Sequence, residues 1–320
     1  MLESNLGSAR APRFRKRCDN RSGPPANSID VALRVAMALG MRNTIPSILM
    51  VSWNRREYFE RTVAHLLADP SNFRLHFWDN GSEDGVRDII AELRDDRIVD
   101  RHLNPTNVGQ FAPWHWFLDN ITTDVGGKLD DDILGEAGWM SRFADMLMAE
   151  PALGLLGAWM FQPEEWDAGL GAHKIRDVGN YQIFQNMWVA GCIFLGRTVV
   201  LRRFATHDHD RLGVPIDHLA ITSAGLISGY PLPMSFAHNL DDPRSPYCRT
   251  NRPGGWDQFA AYTARMRNFS GPEDYAKWIA ADAREILTTP VAKQMADNKP
   301  PTISKRIAGK IRRLAAPFAF

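Results

Sequence analysis

The chain has 320 residues, of which 44% are hydrophobic and 23% charged, with a formal net charge of +1 at pH 7. That length can bury a full core as one large or two modest domains, and the composition is that of a soluble globular protein. The near-neutral total predicts no nucleic-acid partner, and three scattered cysteines, Cys18, Cys192 and Cys248, form neither a disulfide framework nor a zinc site.

Residues 1–28 are rich in Arg, Pro, Ser and Gly and read as a mobile basic arm. Positive charge is concentrated at the ends. The first 45 residues carry eight Arg and Lys against three acids and the last 30 carry seven against one, which leaves the body at −10. Basic ends on an acidic body point to an anionic surface as partner. Helical spacing over 29–41 puts Val31, Val35, Ala38 and Leu39 on one side. After Pro46, Ser47 to Ser52 is a continuous apolar strand of the kind buried in a parallel sheet. A helix follows over 58–68, then a strand over 74–78 that ends in Asp79-Asn80-Gly81-Ser82. A helix over 86–93 and a third strand over 98–102 come next. Asn107-Val108-Gly109 opens a helix carrying Trp114, Trp116, Phe117 and Leu118.

Gly127 to Ile133 is a short strand running into three carboxylates, with a helix over 139–150 behind it. Carboxylates at i and i+2 of an extended end point the same way. Asp130 and Asp132 are therefore placed to share a hard, oxygen-preferring cation, Mg²⁺ or Mn²⁺, of the kind that holds a diphosphate. The same run also suits a solvated acidic turn ahead of a helix N-terminus. Strand-helix alternation through residue 132 implies an α/β fold with an open, mostly parallel sheet. In such sheets ligands bind beyond the carboxyl ends of the strands. Four polar loops fall at those ends: 52–55, 79–82, 107–109 and 130–132.

In the second half, strands over 153–161 and 187–195 flank a loop region at 162–180. Residues 216–228 read as a helix ended by Gly229-Tyr230-Pro231, and 233–237 as an extended run reaching His238. From Trp256 the pattern is helical to about 287, broken at Gly271-Pro272. Over 302–320, Ile303, Ile307, Ile311, Leu314 and Phe318 share one face of a basic amphipathic helix, either a membrane-surface anchor or a helix docked on the domain. No apolar run reaches the roughly 18 residues of a membrane span. The basic N-terminus lacks an apolar signal core, so the expectation is a cytoplasmic location, peripheral on the inner membrane face where the last helix serves as an anchor.

In order and spacing, Val51-Ser52-Trp53-Asn54-Arg55, then Asp79-Asn80-Gly81-Ser82-Glu83-Asp84, then Asn107-Val108-Gly109, then Leu129-Asp130-Asp131-Asp132 resembles the family 2 nucleotide-sugar glycosyltransferases of the GT-A fold. The resemblance spans about residues 46–240. It implies a transferase domain over 29–250, with a Rossmann-like nucleotide-binding half at 46–132 and an acceptor half at 133–250. C-terminal helices over 251–300 and the basic helix at 301–320 follow. The activity it implies is inverting transfer of a sugar from a nucleoside diphosphate donor to a hydroxyl of a glycan or glycolipid acceptor, in bacterial surface polysaccharide or glycolipid synthesis.

The resemblance also implies roles. Asp79 would accept from the nucleobase, with Ser52, Asn54 and Arg55 lining the same pocket, or would shape its own loop as an Asx-turn residue. Asn107 would shape the sugar-nucleotide pocket or cap a helix. Asp130, Asp131 and Asp132 would face the nucleotide sugar, and Asp130 and Asp132 would hold Mn²⁺ or Mg²⁺ with His238 as a further ligand. Asp217 would be the general base, although the family commonly has Glu-Asp where this chain has Ile216-Asp217. Acceptor candidates are Trp166, His173, Trp188 and Gly191, the last because a glycine admits a ligand to the backbone. Lys128 reads as a surface lysine at a strand end and His207-Asp208-His209-Asp210 as a solvated loop. The competing readings are a retaining transferase on the same fold and a non-catalytic nucleotide- or glycan-binding module.

Overall fold

The structure is a computed structural model that describes residues 44–206, 214–260, 264–265 and 267–299. The basic arm, the helix read over 29–41, the His207-Asp208-His209-Asp210 run and the basic helix over 302–320 lie outside the described residues.

The first half alternates as its pattern predicts. Strand β1 (Ser47–Ser52) buries Ile48, Leu49 and Met50 completely, as a strand covered on both faces must. Helix α1 (Arg56–Ala68) buries Tyr58, Phe59, Thr62, Val63 and Leu66, one stripe at helical spacing, and stops at Asp69 ahead of Pro70. Then come β2 (Arg74–Asp79), α2 (Val86–Glu92), β3 (Ile98–Leu103), α3 (Phe111–Asn120) and β4 (Val125–Leu129). The second half adds β5 (Ile133–Gly135), α4 (Trp139–Ala149), β6 (Leu153–Gly157), α5 (Ala168–Gly171), β7 (Ile175–Val178) and β8 (Tyr181–Gln185). After these lie β9 (Ile193–Arg197), α6 (Thr198–Arg203), α7 (His218–Ser223), β10 (Ile227–Leu232), β11 (Ala237–Asn239), α8 (Gly255–Phe259), α9 (Pro272–Thr288) and α10 (Val291–Asp297).

Nine strands form one sheet in the order β3-β2-β1-β4-β9-β6-β10-β8-β7. Strands β9 and β8 run against the other seven, so the sheet is mixed but mostly parallel. Helices flank it and the chain continues into C-terminal helices, the architecture that the GT-A resemblance implies. A two-stranded sheet pairs β5 with β11, setting His238 opposite Leu134. One apolar cluster contains Phe59, Phe77, Phe143 and Leu147; a second contains Trp114, Phe117, Leu201 and Ile221. A third joins Trp159, Phe184 and Tyr230 to Tyr275 and Ile279 of α9. No helix among the described residues is long and apolar enough to cross a membrane.

The second half departs from its pattern in several places, first in the strand read over 153–161, which ends at Gly157. The strand read over 187–195 begins at Ile193, and the loop read over 162–180 contains α5 and β7, which pairs with β8 at the sheet edge. The helix read over 216–228 ends at Ser223. Gly229-Tyr230-Pro231, read as its stop signal, lies inside β10 between β6 and β8. Pro231 is tolerated because β10 pairs with β6 only as far as Gly229, so the missing N–H falls where the ladder on that side has ended.

A buried polar network ties the C-terminal helices to the edge hairpin. Lys174 Nζ donates to Asn186 Oδ1 at 2.6 Å and to the Ile286 carbonyl at 2.5 Å. Gln294 Nε2 donates to the same Asn186 Oδ1 at 2.7 Å, and its Oε1 accepts from Met187 N at 3.1 Å. In a continuing helix the Ile286 carbonyl would receive the N–H of residue 290. That residue is a proline with none to give, so Lys174 satisfies the orphan.

Candidate active site

The parallel register sets Ser52, the last residue of β1, beside Asp79, the last of β2. The two loops that follow are laced together. Asn80 N donates to the Ser52 carbonyl at 2.9 Å, and Asn54, at a φ of +53°, donates its N–H to Ser82 Oγ at 3.0 Å. Asn54 Oδ1 accepts from Glu83 N at 2.8 Å and Asp84 Oδ2 from Arg56 N at 2.8 Å. Asn80 holds the third loop: its Nδ2 donates to the Gly109 carbonyl at 3.0 Å and its Oδ1 accepts from Val108 N at 3.3 Å.

Asp79 is fully buried, and its carboxylate accepts from Gly81 N and Ser82 N at 3.1 Å and faces Arg87 Nη1 at 3.3 Å. Its oxygens serve the loop, the Asx-turn role, rather than facing outward to a base as the resemblance implies. Asn107 Oδ1 closes a turn on Gly109 N at 2.8 Å; the cap of α3 is Gln110, so Asn107 shapes the loop and is not the helix cap.

The acidic triplet lies where β4 ends. Asp131 Oδ2 accepts from Ser52 Oγ at 2.8 Å, and Asp132 Oδ2 accepts from Arg55 Nη1 at 2.6 Å. The same Nη1 is 3.5 Å from Asp131 Oδ1. Arg55 Nη2 donates to Asp241, whose other oxygen accepts from Tyr58 Oη at 3.0 Å. Lys128 Nζ meets Asp130 Oδ1 at 2.5 Å. Four carboxylates thus share two cations, so the cluster is anionic when all are ionised. Burial pushes Asp130 and Asp241 up, against the pull of Lys128 and Arg55 respectively. It carries Asp131 to about 7, with Arg55 opposing. Burial also works against the charge of Arg55, but Asp132, Asp241 and Asp131 outweigh it and hold the guanidinium protonated. Lys128 is not the surface lysine read from the sequence: its side chain is 12% exposed and committed to Asp130.

Asp241 went unread in the sequence. Its placement follows from β11, which pairs with β5 immediately after the triplet, so that Leu240 N donates to the Asp132 carbonyl at 2.8 Å. The signal available was the pair Asp241-Asp242 three residues after His238. Trp53 was a second omission. It stands 51% exposed at the turn after β1, a large aromatic face on the rim.

An all-oxygen set suits Mg²⁺ or Mn²⁺. Among the described residues no three His, Cys, Asp or Glu side chains converge on one point. The donors therefore fit a site in which Asp130 and Asp132 supply one or two oxygens and substrate phosphate and water the rest, and do not fit a protein cage. His238 is not brought to them. Its Nε2 shares a hydrogen bond with Ser245 Oγ at 2.9 Å and its ring lies 5.7 Å from that of Tyr247. Burial lowers its pKa, which keeps the imidazole neutral.

Asp217 is the N-cap of α7, with Oδ1 accepting from Ala220 N at 3.0 Å. Val214 and Pro215, just before it, line a small cavity with Val51, Trp114 and Lys128, so this segment reaches the strand ends that carry the acid cluster. Gly191 is filled from within: a Cβ there would meet Val214 Cγ2 at 2.6 Å, so the chain's own 214 segment takes the place foreseen for an acceptor. Trp166 packs edge-on against Trp159 and Phe184, at 5.6 and 5.0 Å between ring centroids, in the third apolar cluster. His173 bonds the Leu170 carbonyl at 3.1 Å just ahead of β7, the edge strand farthest from β3. Trp188 is half-buried, and its carbonyl accepts from Asn186 Nδ2 at 2.7 Å.

Among solved structures, the mannosyltransferase PcManGT from Pyrobaculum calidifontis, in complex with GDP-Man and Mn²⁺, is similar at 14% identity and a TM-score of 0.48, over 91% of this chain and 92% of that one. S. aureus TarS 1-349 is similar at 11% identity and a TM-score of 0.46, over 86% of this chain and 93% of that one. TarS 1-349 in complex with UDP-GlcNAc aligns at 13% identity and a TM-score of 0.40, over 50% of this chain and 47% of that one. A sequence comparison with curated proteins found no match. The model of glycosyl transferase family 2 matches residues 47–209, which run from the start of β1 past α6 and take in the whole acidic triplet. The chain belongs to glycosyl transferase family 2.

Proposed function

We propose that this glycosyltransferase is inverting and metal-dependent, and moves a sugar from a nucleoside diphosphate donor to a hydroxyl acceptor. The observation that carries the reading is the meeting of Asp131, Asp132 and Asp241 on Arg55, with Asp130 beside them on Lys128, at the carboxyl ends of β1 and β4; the triplet and Arg55 lie within the family-matched region. Asp130 and Asp132 would hold the ion, which when bound supplies positive charge to the leaving diphosphate. Ser52 fixes Asp131 and Lys128 fixes Asp130, so the carboxylates are held before a donor arrives. Arg55 balances the cluster, since like charges this close would otherwise protonate. Trp53 offers its face to the nucleobase. Asp217, fixed at the start of α7, takes the acceptor proton as the acceptor oxygen attacks the anomeric carbon. A surface glycan or glycolipid is the acceptor class that suits the basic ends of the chain.

One observation favours a second reading. Asp217 Oδ1 is committed to capping α7, and a retaining transferase would use the same donor residues with no base at that position. The test is turnover of UDP-, GDP-, CMP- and dTDP-sugars with and without Mn²⁺, with the product anomer read by NMR. Metal-dependent turnover of one donor, lost in Asp132→Ala and strongly reduced in Asp217→Asn, with inversion at the anomeric carbon, supports the first reading. Retention with an unaffected Asp217→Asn supports the second. Donor binding without turnover on any acceptor would mean a binding module.

A further inference from the structure

A cleft of about 310 Å³ lies between the start of α1 and the 246–252 loop, lined by Glu57, Tyr58, Arg61, Tyr247, Asn251 and Arg252. Two of its basic groups, Arg61 and Arg249, are held on aromatic rings. The Arg61 guanidinium lies over the Tyr247 ring, 4.0 Å from the centroid. The Arg249 guanidinium, beside the cleft, lies 4.7 Å from the ring centroids of both Tyr58 and Phe259. Neither guanidinium has an ion pair or a side-chain hydrogen bond with a described residue, and Arg249 Nε is buried without a partner. A guanidinium stacked on an aromatic face keeps its in-plane N–H groups for an acceptor arriving edge-on. Arg252 completes the set and is paired in fork fashion with Glu57, one contact being 2.9 Å. Three guanidinia stand against Glu57 in the lining and Asp241 behind Tyr58, so the lining itself is positive in a body whose net charge is strongly negative.

Tyr58 joins this cleft to the acid cluster. Its hydroxyl accepts from Arg249 N at 2.8 Å and donates to Asp241 Oδ1 at 3.0 Å, and Asp241 accepts from Arg55. A ligand in the cleft is therefore one residue removed from the carboxylates to which the donor diphosphate is assigned. We propose that Arg61, Arg249 and Arg252 form a second anion site, and that it takes a phosphate group carried by the acceptor. The inference rests on the transferase reading above. A positive lining built from several guanidinia matches a phosphate dianion better than a single carboxylate, and forked guanidinia match phosphate oxygens in pairs.

The test is calorimetric titration of inorganic phosphate into the full chain at low salt, for wild type, Arg61→Ala, Arg61→Lys and Arg249→Gln. Nucleotide-sugar binding is followed by thermal shift on the same proteins. The expected result is saturable phosphate binding by wild type, weakened about tenfold or more in Arg61→Ala and Arg249→Gln and less in Arg61→Lys, which keeps the charge but not the fork. Nucleotide-sugar shifts should stay as in wild type. Arg61 is exposed on α1, so Arg61→Ala keeps the test usable if Arg249→Gln unfolds. Three results would overturn the site: no saturable phosphate binding by wild type, phosphate binding untouched by the variants, or loss of phosphate and nucleotide-sugar binding together, which would place the phosphate in the donor site. Absence of any nucleotide-sugar shift in wild type would instead overturn the transferase reading while phosphate binding stood.

Discussion

Among the described residues no carboxylate lies beside the buried amine of Lys174. It is 1% exposed, its Nζ reaches two neutral carbonyl oxygens, and its charge lies 4.9 Å from the Phe184 ring centroid. Burial lowers its pKa from 10.5 to about 8. The sign follows from linkage. Between pH 8 and 10.5 the unfolded chain holds a proton on this amine that the folded chain has released, so stability rises with pH across that window. Below pH 8 both states are charged and the burial cost is constant. At about 1.4 kcal/mol per unit the depression corresponds to at most about 3.5 kcal/mol, and to about 2 kcal/mol once the folded state relaxes around the charge. Lys174→Met keeps the length, removes the charge and returns the Ile286 carbonyl to its unsatisfied state. The stability of wild type relative to Lys174→Met, from urea unfolding at pH steps between 7 and 11, should climb by about 2 kcal/mol above pH 8 and be flat below it. A difference that stays flat to pH 11 would show that the two carbonyls repay the burial in full. A falling difference would mean that the folded protein favours the ammonium.

Three further outcomes are expected. Asp132→Ala should lower metal-stimulated turnover by about 100-fold or more, as several kcal/mol of charge stabilisation are lost, and should abolish the metal-dependent thermal shift with donor; undiminished turnover would remove the triplet from the site. Trp53→Ala should raise the donor KM by about tenfold, the worth of one stacked ring, with little change in kcat. An unchanged KM would mean that the exposed indole touches no base. Gly191→Ala should cost about 1–3 kcal/mol in urea unfolding, because the new methyl group would sit 2.6 Å from Val214 Cγ2.

The first half was legible because its order is local. Continuous apolar strands such as Ser47–Ser52 and Arg74–Asp79 alternate with helices whose buried stripes recur at three and four residues. The polar loops between them fall on one rim by topology alone. The second half resisted because pairing overrode local signals. Gly229 and Pro231 are turn residues by propensity, yet they complete a strand between β6 and β8. Of the site, Asp130 to Asp132 could be read from their spacing. The partner of each carboxylate could not, because Ser52, Arg55 and Asp241 reach them across 79, 77 and, for Arg55 to Asp241, 186 residues. The Asx-turn role of Asp79 was visible as an alternative in the Asp-Asn-Gly-Ser run. Only the N–H groups of Gly81 and Ser82 on its oxygens select it.

The bond from Arg55 to Asp241 also bears on how the chain is made. During synthesis the triplet and Arg55 are complete once residue 132 has emerged, but the fourth carboxylate follows more than a hundred residues later and is delivered only when β11 pairs with β5. A half-length chain on the ribosome can form the strands that would receive a nucleotide, yet it lacks Asp241 and the Tyr58–Asp241 bond beside it. The charge balance of the cluster therefore closes late, by a contact of long sequence separation, which is among the slowest kinds to form. The cluster of four carboxylates around two cations is therefore complete only after β11 has joined β5.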